Sequence, residues 1–434
     1  MKKVLEKINN TLSLQVYQIL RYGMFFLSGV VFTRSGLSLS SIGEYETFIF
    51  IAGAFSFFGI SAIINSTLSS FHAHPTHKSP FFFNIFMFML LFGGVLSLLI
   101  WQLPQLAHAI LRVDLGRYES RLLAIYLLFS APAYLLEYVY LLKNKAISIL
   151  TYGIFSFTVH ILLVIMPVLV FGEIQYAFIG LVVTAFIKFC WVIRLVYKYS
   201  VFKWDGAIMR HQVRATIPLA LASFLSGCGD YIDGVLVSNY YDKSVFAIFR
   251  YGARELPLSM LLANAMSMSL LPQIASNAQA TYAQIKKKSL KLMHYLFPIS
   301  MILMLASHFL YSHIFNPNFS TSAQIFNIYL LLIFSRLVFP QTIVMGLGKS
   351  NIIFIASLIE ICINIVASLF LMQWFGLFGI AFGTILAFYS EKLFLILWLK
   401  GKAHIHPVEY IPIIPLLSYS IILWCLFLLE NKYF

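Results

Sequence analysis

Charge is what this chain has least of. Asp, Glu, Lys and Arg make up 11% of its 434 residues, against about 25% in soluble domains. With 60% of the residues hydrophobic, there are too few polar groups to cover a globular surface, so the natural solvent is lipid. Acids are the scarcer sign, 16 Asp and Glu against 30 Lys and Arg. A basic excess can serve nucleic acid or a membrane surface; its placement at the ends of apolar runs favours the membrane and excludes nucleic acid as a partner. Cysteine is nearly absent. Cys190, Cys228, Cys362 and Cys425 stand singly in apolar segments, with no CxxC or His/Cys spacing. That pattern excludes a zinc centre and a disulfide framework, and the four are expected to be small core residues. The basic start MKKVLEKINN leads into an apolar run broken by Arg21 without a cleavage site, so it reads as a retained first helix.

Apolar runs are what the chain has in abundance. A span takes about 20 mainly apolar residues. That length predicts thirteen spans, near 13–33, 45–66, 81–101, 121–142, 149–171, 174–197, 215–239, 244–271, 292–315, 324–345, 351–372, 376–399 and 409–429. Eighteen basic residues fall on one side: Lys2, Lys3, Lys7, Lys78, Lys143, Lys145, Arg194, Lys198, Lys203, Arg210, Arg214, Lys286, Lys287, Lys288, Lys291, Lys349, Lys400 and Lys402. The other side has six, Arg34, Arg112, Arg117, Arg121, Lys243 and Lys432. The positive-inside rule then predicts a cytoplasmic N-terminus and an external C-terminus. The longest connections, near 198–214 and 272–291, are basic and too short for a soluble domain.

An internal repeat organises the spans. Phe171-Gly172 and Ala177-Phe178 recur as Phe375-Gly376 and Ala381-Phe382, and Lys145 recurs as Lys349, all at an offset of 204 residues. Spans 1–6 and 7–12 are expected to be two copies with the same orientation, related by an axis along the membrane normal. Transporters built from parallel repeats place their substrate between the halves. The expected organisation is an N-lobe over 1–200, a C-lobe over 201–400, and an added span over 401–434: an all-α, polytopic membrane protein.

Ile217 to Ala275 contains a proline opening span 7, an aspartate in its outer half, and LLPQIA closing span 8. With QIFNIYLLLIFSRLVFPQTIVMGLGKSNI and WFGLFGIAFGTILAF, and more loosely TRSGLSLSSIGEYETF, this stretch resembles the polysaccharide flippases of the multidrug/oligosaccharidyl-lipid/polysaccharide (MOP) exporter superfamily. The resemblance covers roughly residues 10–400 and extends to the O-antigen (Wzx-type) branch. It implies a non-enzymatic flippase in the bacterial inner membrane that moves an isoprenoid-diphosphate-linked oligosaccharide, such as an O-antigen unit of lipopolysaccharide, to the outer leaflet. The implied partners are a polyprenyl-diphosphate-linked glycan, membrane lipids and the glycan polymerase or ligase machinery. A peptidoglycan lipid-precursor flippase and a drug/cation antiporter of the same superfamily are the alternatives. A polymerase or ligase calls for a large external loop that this chain lacks.

Charges within spans nominate the site. Asp230 and Asp233 lie i, i+3 in span 7, and Arg250 and Arg254 lie i, i+4 in span 8, so each pair shares one helix face; Asp–Arg pairing across the two helices is expected. Arg21 in span 1, Lys188 in span 6 and Arg336 in span 10 add cations, with Glu360 as the expected partner of Arg336 and Glu255 as a possible partner for the span 8 arginines. A guanidinium fork suits a diphosphate. Arg21, Arg250, Arg254, Arg336 and Lys188 are therefore the candidate substrate ligands of a cationic central cavity, and Asp230, Asp233 and Glu360 the candidate coupling or charge-pairing groups. Glu137 is expected near Lys143 at the inner interface, Glu391-Lys392 as an interfacial pair, and His160 as a hydrogen-bonded structural residue. His72, His74 and His77 read as a solvated loop, and no metal or cofactor is called for.

Overall fold

The computed structural model describes residues 10–71, 79–102, 116–276 and 278–430; His72, His74, His77, Lys2, Lys3, Lys7, Lys78, Arg112 and Lys432 lie outside them. Among the described residues there are helices and no strands. They run α1 Asn10–Arg34, α2 Leu39–Ser70, α3 Phe81–Gln102, α4 Arg117–Ala133, α5 Leu135–Leu142, α6 Ala146–His160, α7 Met166–Phe171, α8 Gln175–Tyr199, α9 Gly206–Tyr240 and α10 Lys243–Gly252. Then come α11 Pro257–Ser276, α12 Ala278–Ile314, α13 Ser320–Leu330, α14 Ile333–Arg336, α15 Pro340–Gly346, α16 Ser350–Phe375, α17 Leu377–Lys402, α18 Pro407–Tyr410 and α19 Ile413–Glu430.

Among the described residues ten helices are long and apolar enough to cross a membrane, and a bent pair, Pro317–Arg336 with Pro340–Gly346, makes an eleventh if it is one span. These match thirteen-span positions 1–6 and 9–13. Span 7 corresponds to α9, and span 8 to α10 and α11, separated at 253–256. Two connections differ from expectation. Residues 206–214 and 278–291 are helical, as the beginnings of α9 and α12. At 1.5 Å per residue a helix of 35 or 37 residues exceeds 50 Å, well beyond the roughly 30 Å apolar layer. Asp205 starts α9 by accepting from the amides of Ala207 and Ile208 at 2.9 and 3.3 Å, the role of a helix cap.

Hydrogen bonds bring connections together as alternation requires. The start of α1 meets the 4–5 connection through Asn10 Nδ2 donating to Asn144 Oδ1 at 2.7 Å. The 2–3 and 6–7 connections meet through Asn84 Nδ2 donating to the Lys203 carbonyl at 3.0 Å. The 1–2 and 7–8 connections meet through the Lys243–Glu44 ion pair at 3.2 Å.

The chain divides into two compact units, one of residues 1–227 and 241–247, the other of 228–240 and 248–434. In the first, Phe81, Phe82, Ile85, Met89, Leu135 and Tyr152 belong to the buried core. The repeat is visible in the backbone. Asn144 and Gly348, 204 apart, both take positive φ, 53° and 69°. The Lys145 amide donates to the Tyr140 carbonyl at 2.9 Å, and that of Lys349 to Val344 at 3.1 Å. Gly172 and Gly376 both take positive φ, 71° and 56°, where their helices turn, a region that only glycine enters readily.

The cysteines correct one expectation. Cys190, Cys362 and Cys425 are exposed on the protein surface rather than in the core, as lipid-facing apolar residues can be.

Candidate functional site

Helical spacing assembles a polar cavity inside the first unit. Tyr17, Arg21, Met24 and Phe25 recur at i, i+4, i+7 and i+8 along α1, one stripe of a helix. Leu181, Thr184, Ala185 and Lys188 form the facing stripe of α8, and all eight line the cavity. Tyr126, Ser130 and Ala133 of α4 close it, and Glu137 enters from α5. Pro132 lies in the last turn before the break at Tyr134, where its missing N–H interrupts the ladder. On the third wall α6 ends at His160 and runs into a π-helical turn, Ile161–Ile165. Such turns recur at functional sites. Gly180 lets α8 approach that turn: a Cβ there would lie 1.9 Å from the Leu163 carbonyl oxygen.

Arg21 Nη1 stands 3.9 Å from Glu137 Oε1, with the arginine side chain 32% exposed and the glutamate 1%. The guanidinium carbon lies 5.9 Å from the Tyr134 ring centroid. Glu137 is thus a cavity group facing Arg21 rather than an interfacial neighbour of Lys143. Among the described residues, neither of its oxygens meets the geometry of a protein hydrogen bond, Tyr17 being the nearby hydroxyl, and the buried Thr184 hydroxyl is likewise unpartnered. Buried polar atoms in this position call for water or a ligand. The cavity, about 70 Å³, exceeds the 10–15 Å³ or so that one water needs. It accommodates a few waters or one phosphate-sized group, and excludes a glycan. His160, 4% exposed, is held by Ser28 Oγ at 2.8 Å, the structural role expected of it.

The second unit handles its charges differently. Asp233, 6% exposed, accepts hydrogen bonds on Oδ2 from Tyr329 Oη and, at 2.5 Å, from Thr384 Oγ1. These hydroxyls come from α13 and α17, 96 and 151 residues away in sequence, and no span-to-span charge count could have found them. The Asp230 side chain lies outside the described residues. Arg336 forks onto Glu255, with Nε at 2.8 Å and Nη2 at 2.5 Å, and stacks 4.3 Å from the Phe388 ring centroid. Glu255 is therefore a carboxylate partner of Arg336. Glu360 lies against Gly229, its Oε1 2.8 Å from where a Cβ would stand. Arg254 Nε donates to the Arg250 carbonyl at 3.3 Å and its guanidinium covers the Tyr251 ring. Glu391 and Lys392 pair at 2.9 Å, buried in the protein rather than at an interface. Arg21 and Lys188 thus share one cavity; Arg336, Arg250 and Arg254 belong to the other unit. Among the described residues no three His, Cys, Asp or Glu side chains converge as a metal site.

No family model and no curated protein matches this sequence. Solved structures do match its fold. The lipid II flippase MurJ, in an inward closed conformation, is 19% identical, covers 96% of this chain and 93% of its own, and superposes with a TM-score of 0.71. A mutant of the Vibrio cholerae MATE transporter VcmN is 13% identical, with 91% and 94% covered and a TM-score of 0.55. An inward-facing multidrug resistance MATE family transporter of the MOP superfamily is 11% identical, with 86% and 92% covered and a TM-score of 0.57. The chain therefore has the all-helical, multi-pass fold of MOP-superfamily transporters, flippases and drug exporters among them.

Proposed function

We propose that this protein is a flippase that carries an isoprenoid-diphosphate-linked oligosaccharide from the cytoplasmic to the outer leaflet by alternating access, with the lipid tail remaining in the bilayer. The observation that carries the reading is the first-unit cavity, where two cations, Arg21 and Lys188, meet one carboxylate, Glu137. A cavity with an excess of positive charge attracts a diphosphate more strongly than a cationic drug. Its size admits one phosphate, so the second phosphate, the sugar and the tail lie outside it. Outward movement is favoured by the membrane potential, ~2.3 kcal/mol per negative charge per 100 mV. In this reading Arg21 and Lys188 hold phosphate oxygens, Glu137 keeps the arginine oriented, and Asp233 is the candidate coupling carboxylate. The positive-inside rule supports a cytoplasmic N-terminus in a bacterial inner membrane. On the resemblance of the sequence, the cargo is an O-antigen or related polysaccharide unit.

A second cargo has one observation in its favour. The fold is closer to the lipid II flippase, TM-score 0.71, than to the MATE transporters, 0.55 and 0.57, which supports a peptidoglycan lipid precursor. Complementation separates the two. The gene is expressed in a strain lacking its polysaccharide flippase and in one depleted of its peptidoglycan-precursor flippase. Restored surface polysaccharide supports the first cargo, and restored growth the second; rescue of neither removes both. In the rescued strain Arg21→Ala should abolish transport at near-normal protein level, and Arg21→Lys should restore it only in part, since an ammonium cannot make two parallel bonds. Full activity of Arg21→Ala would remove the cavity from the mechanism.

A further inference from the structure

A second cluster of cations lies in the first unit, where α6 begins and α8 ends. Lys145, Arg194 and Lys198 line an open cavity of about 630 Å³ together with Trp191, Leu195 and Tyr199. Known ligand sites span about 300–1,000 Å³. Arg194 and Lys198 are i, i+4 on α8 and share a face. Lys145 reaches the same cavity because the positive φ of Asn144 ends the preceding turn and swings the chain into α6. All three cations are exposed, and no carboxylate lines the cavity. Arg194 and Lys198 repel one another modestly as an i, i+4 pair of like charge, and an anion between them would relieve that.

The floor of the cavity is amphipathic. Trp191 Nε1 donates to Tyr140 Oη at 3.0 Å, so the indole is fixed and its donor already used. Lys198 Nζ lies 5.2 Å from the Tyr199 ring centroid. The charged groups that can meet a ligand are the three cationic heads, with the hydroxyls of Ser148 and Tyr140 also lining the cavity, beside an apolar and aromatic base. On α8 and just after it, Tyr197, Phe202 and Trp204 are exposed, side chains of the kind that anchor a helix end at the headgroup level. By the charge bias of the loops, this end is the cytoplasmic one.

We infer that this cavity is a binding site for the phosphate headgroup of an anionic bilayer phospholipid of the cytoplasmic leaflet, seated among Lys145, Arg194 and Lys198 with its acyl chains along the apolar outside of α6 and α8. Basic pockets between membrane helices on the cytoplasmic side take such headgroups. The site is separate from the Arg21 cavity, sharing none of its lining residues, and does not rest on what the protein transports.

The test is native mass spectrometry of the purified full chain titrated with phosphatidylglycerol, phosphatidylcholine, undecaprenyl diphosphate or inorganic phosphate. Wild type is compared with the triple variant Lys145→Gln/Arg194→Gln/Lys198→Gln and with Lys400→Gln/Lys402→Gln, which removes two charges elsewhere on the same side. Phosphatidylglycerol binding should fall about tenfold or more in the triple variant and stay unchanged in the control, with phosphatidylcholine unaffected in both. Equal phosphatidylglycerol binding by wild type and triple variant overturns the inference. So does a loss confined to undecaprenyl diphosphate, which would make this a cargo site, or to inorganic phosphate, which would make it a site for free anions. If the triple variant does not fold, Arg194→Gln alone is used, with a loss of at least threefold expected; no loss overturns the inference.

Discussion

Lys188 and Lys392 occupy the same position in the two repeats, 204 residues apart, yet they face different surroundings. Lys188 lines a cavity with Arg21, Glu137 and Thr184. Lys392 is buried, 2.9 Å from Glu391 Oε2 and 3.4 Å from Gln341 Oε1. At the same offset Gln341 replaces Glu137, Glu391 replaces Ile187, and Phe388 replaces Thr184. The second unit thus supplies its lysine with a neighbouring carboxylate and fills the threonine position with a ring, over which Arg336 stacks. One scaffold keeps a cation open in the first unit and neutralises it in the second. Charges closed by direct pairing serve the fold, whereas charges left facing a cavity are available to a ligand.

The largest expected effect breaks the closed side of this contrast. Glu255→Ala removes the carboxylate fork from Arg336, which is only 18% exposed, and should cost about 3–5 kcal/mol, read as a lowered melting temperature of the purified protein and reduced abundance. Adding Arg336→Met should recover most of the loss. A double variant no more stable than the single would show that the fork does not hold the second unit together. Glu137→Gln, by contrast, should leave stability within about 1 kcal/mol, because the 3.9 Å contact with Arg21 is looser than a fork.

A smaller effect is expected from transplanting the second unit's solution into the first. Ile187→Glu places a carboxylate beside Lys188, as Glu391 stands beside Lys392. Transport in the rescued strain should fall about tenfold, ~1.4 kcal/mol, with Ile187→Gln as the control for polarity alone. Equal loss in both would trace the effect to packing and not to neutralisation.

The smallest effects test the shared backbone. Gly172→Ala and Gly376→Ala should each destabilise, by about 1 kcal/mol at Gly172 and about 2 kcal/mol at Gly376. The order follows from ψ: Gly172 sits at 14° in the left-handed helical region, whereas Gly376 sits at −132°, where a Cβ is far less tolerated. Denaturant midpoints of the two variants measure it. The reverse order would mean that the turns are not held as the backbone indicates.

Legibility in the sequence followed the range of the interaction. Thirteen apolar stretches coincide with helices or broken helices because burial in lipid needs only length and composition, which are local. The repeat was readable from a few residues for the same reason: glycine at a positive φ and lysine at a helix start answer to their own backbone. Arg21 and Lys188 stood out because cations in apolar runs are costly wherever they lie. Their partners did not stand out. Glu137 was assigned to Lys143, six residues away, when its neighbour is Arg21, and Glu255 was not among the expected partners of Arg336. The stripe of Tyr17, Arg21, Met24 and Phe25 was available as a signal, since helical spacing alone predicts a common face. What it faces was not.

By itself, then, the sequence determined that this is a helical membrane protein of two repeats with more buried cations than its apolar runs can explain. Transfer free energies and backbone preferences act residue by residue and leave their mark in composition and spacing. Only the tertiary structure decided how Arg21 and Arg336 are partnered, because a charge is settled by groups within a few ångströms: Glu137 comes to Arg21 from 116 residues away and Glu255 to Arg336 from 81. Coulomb attraction and hydrogen bonding depend on that separation in space, and chain order does not encode it.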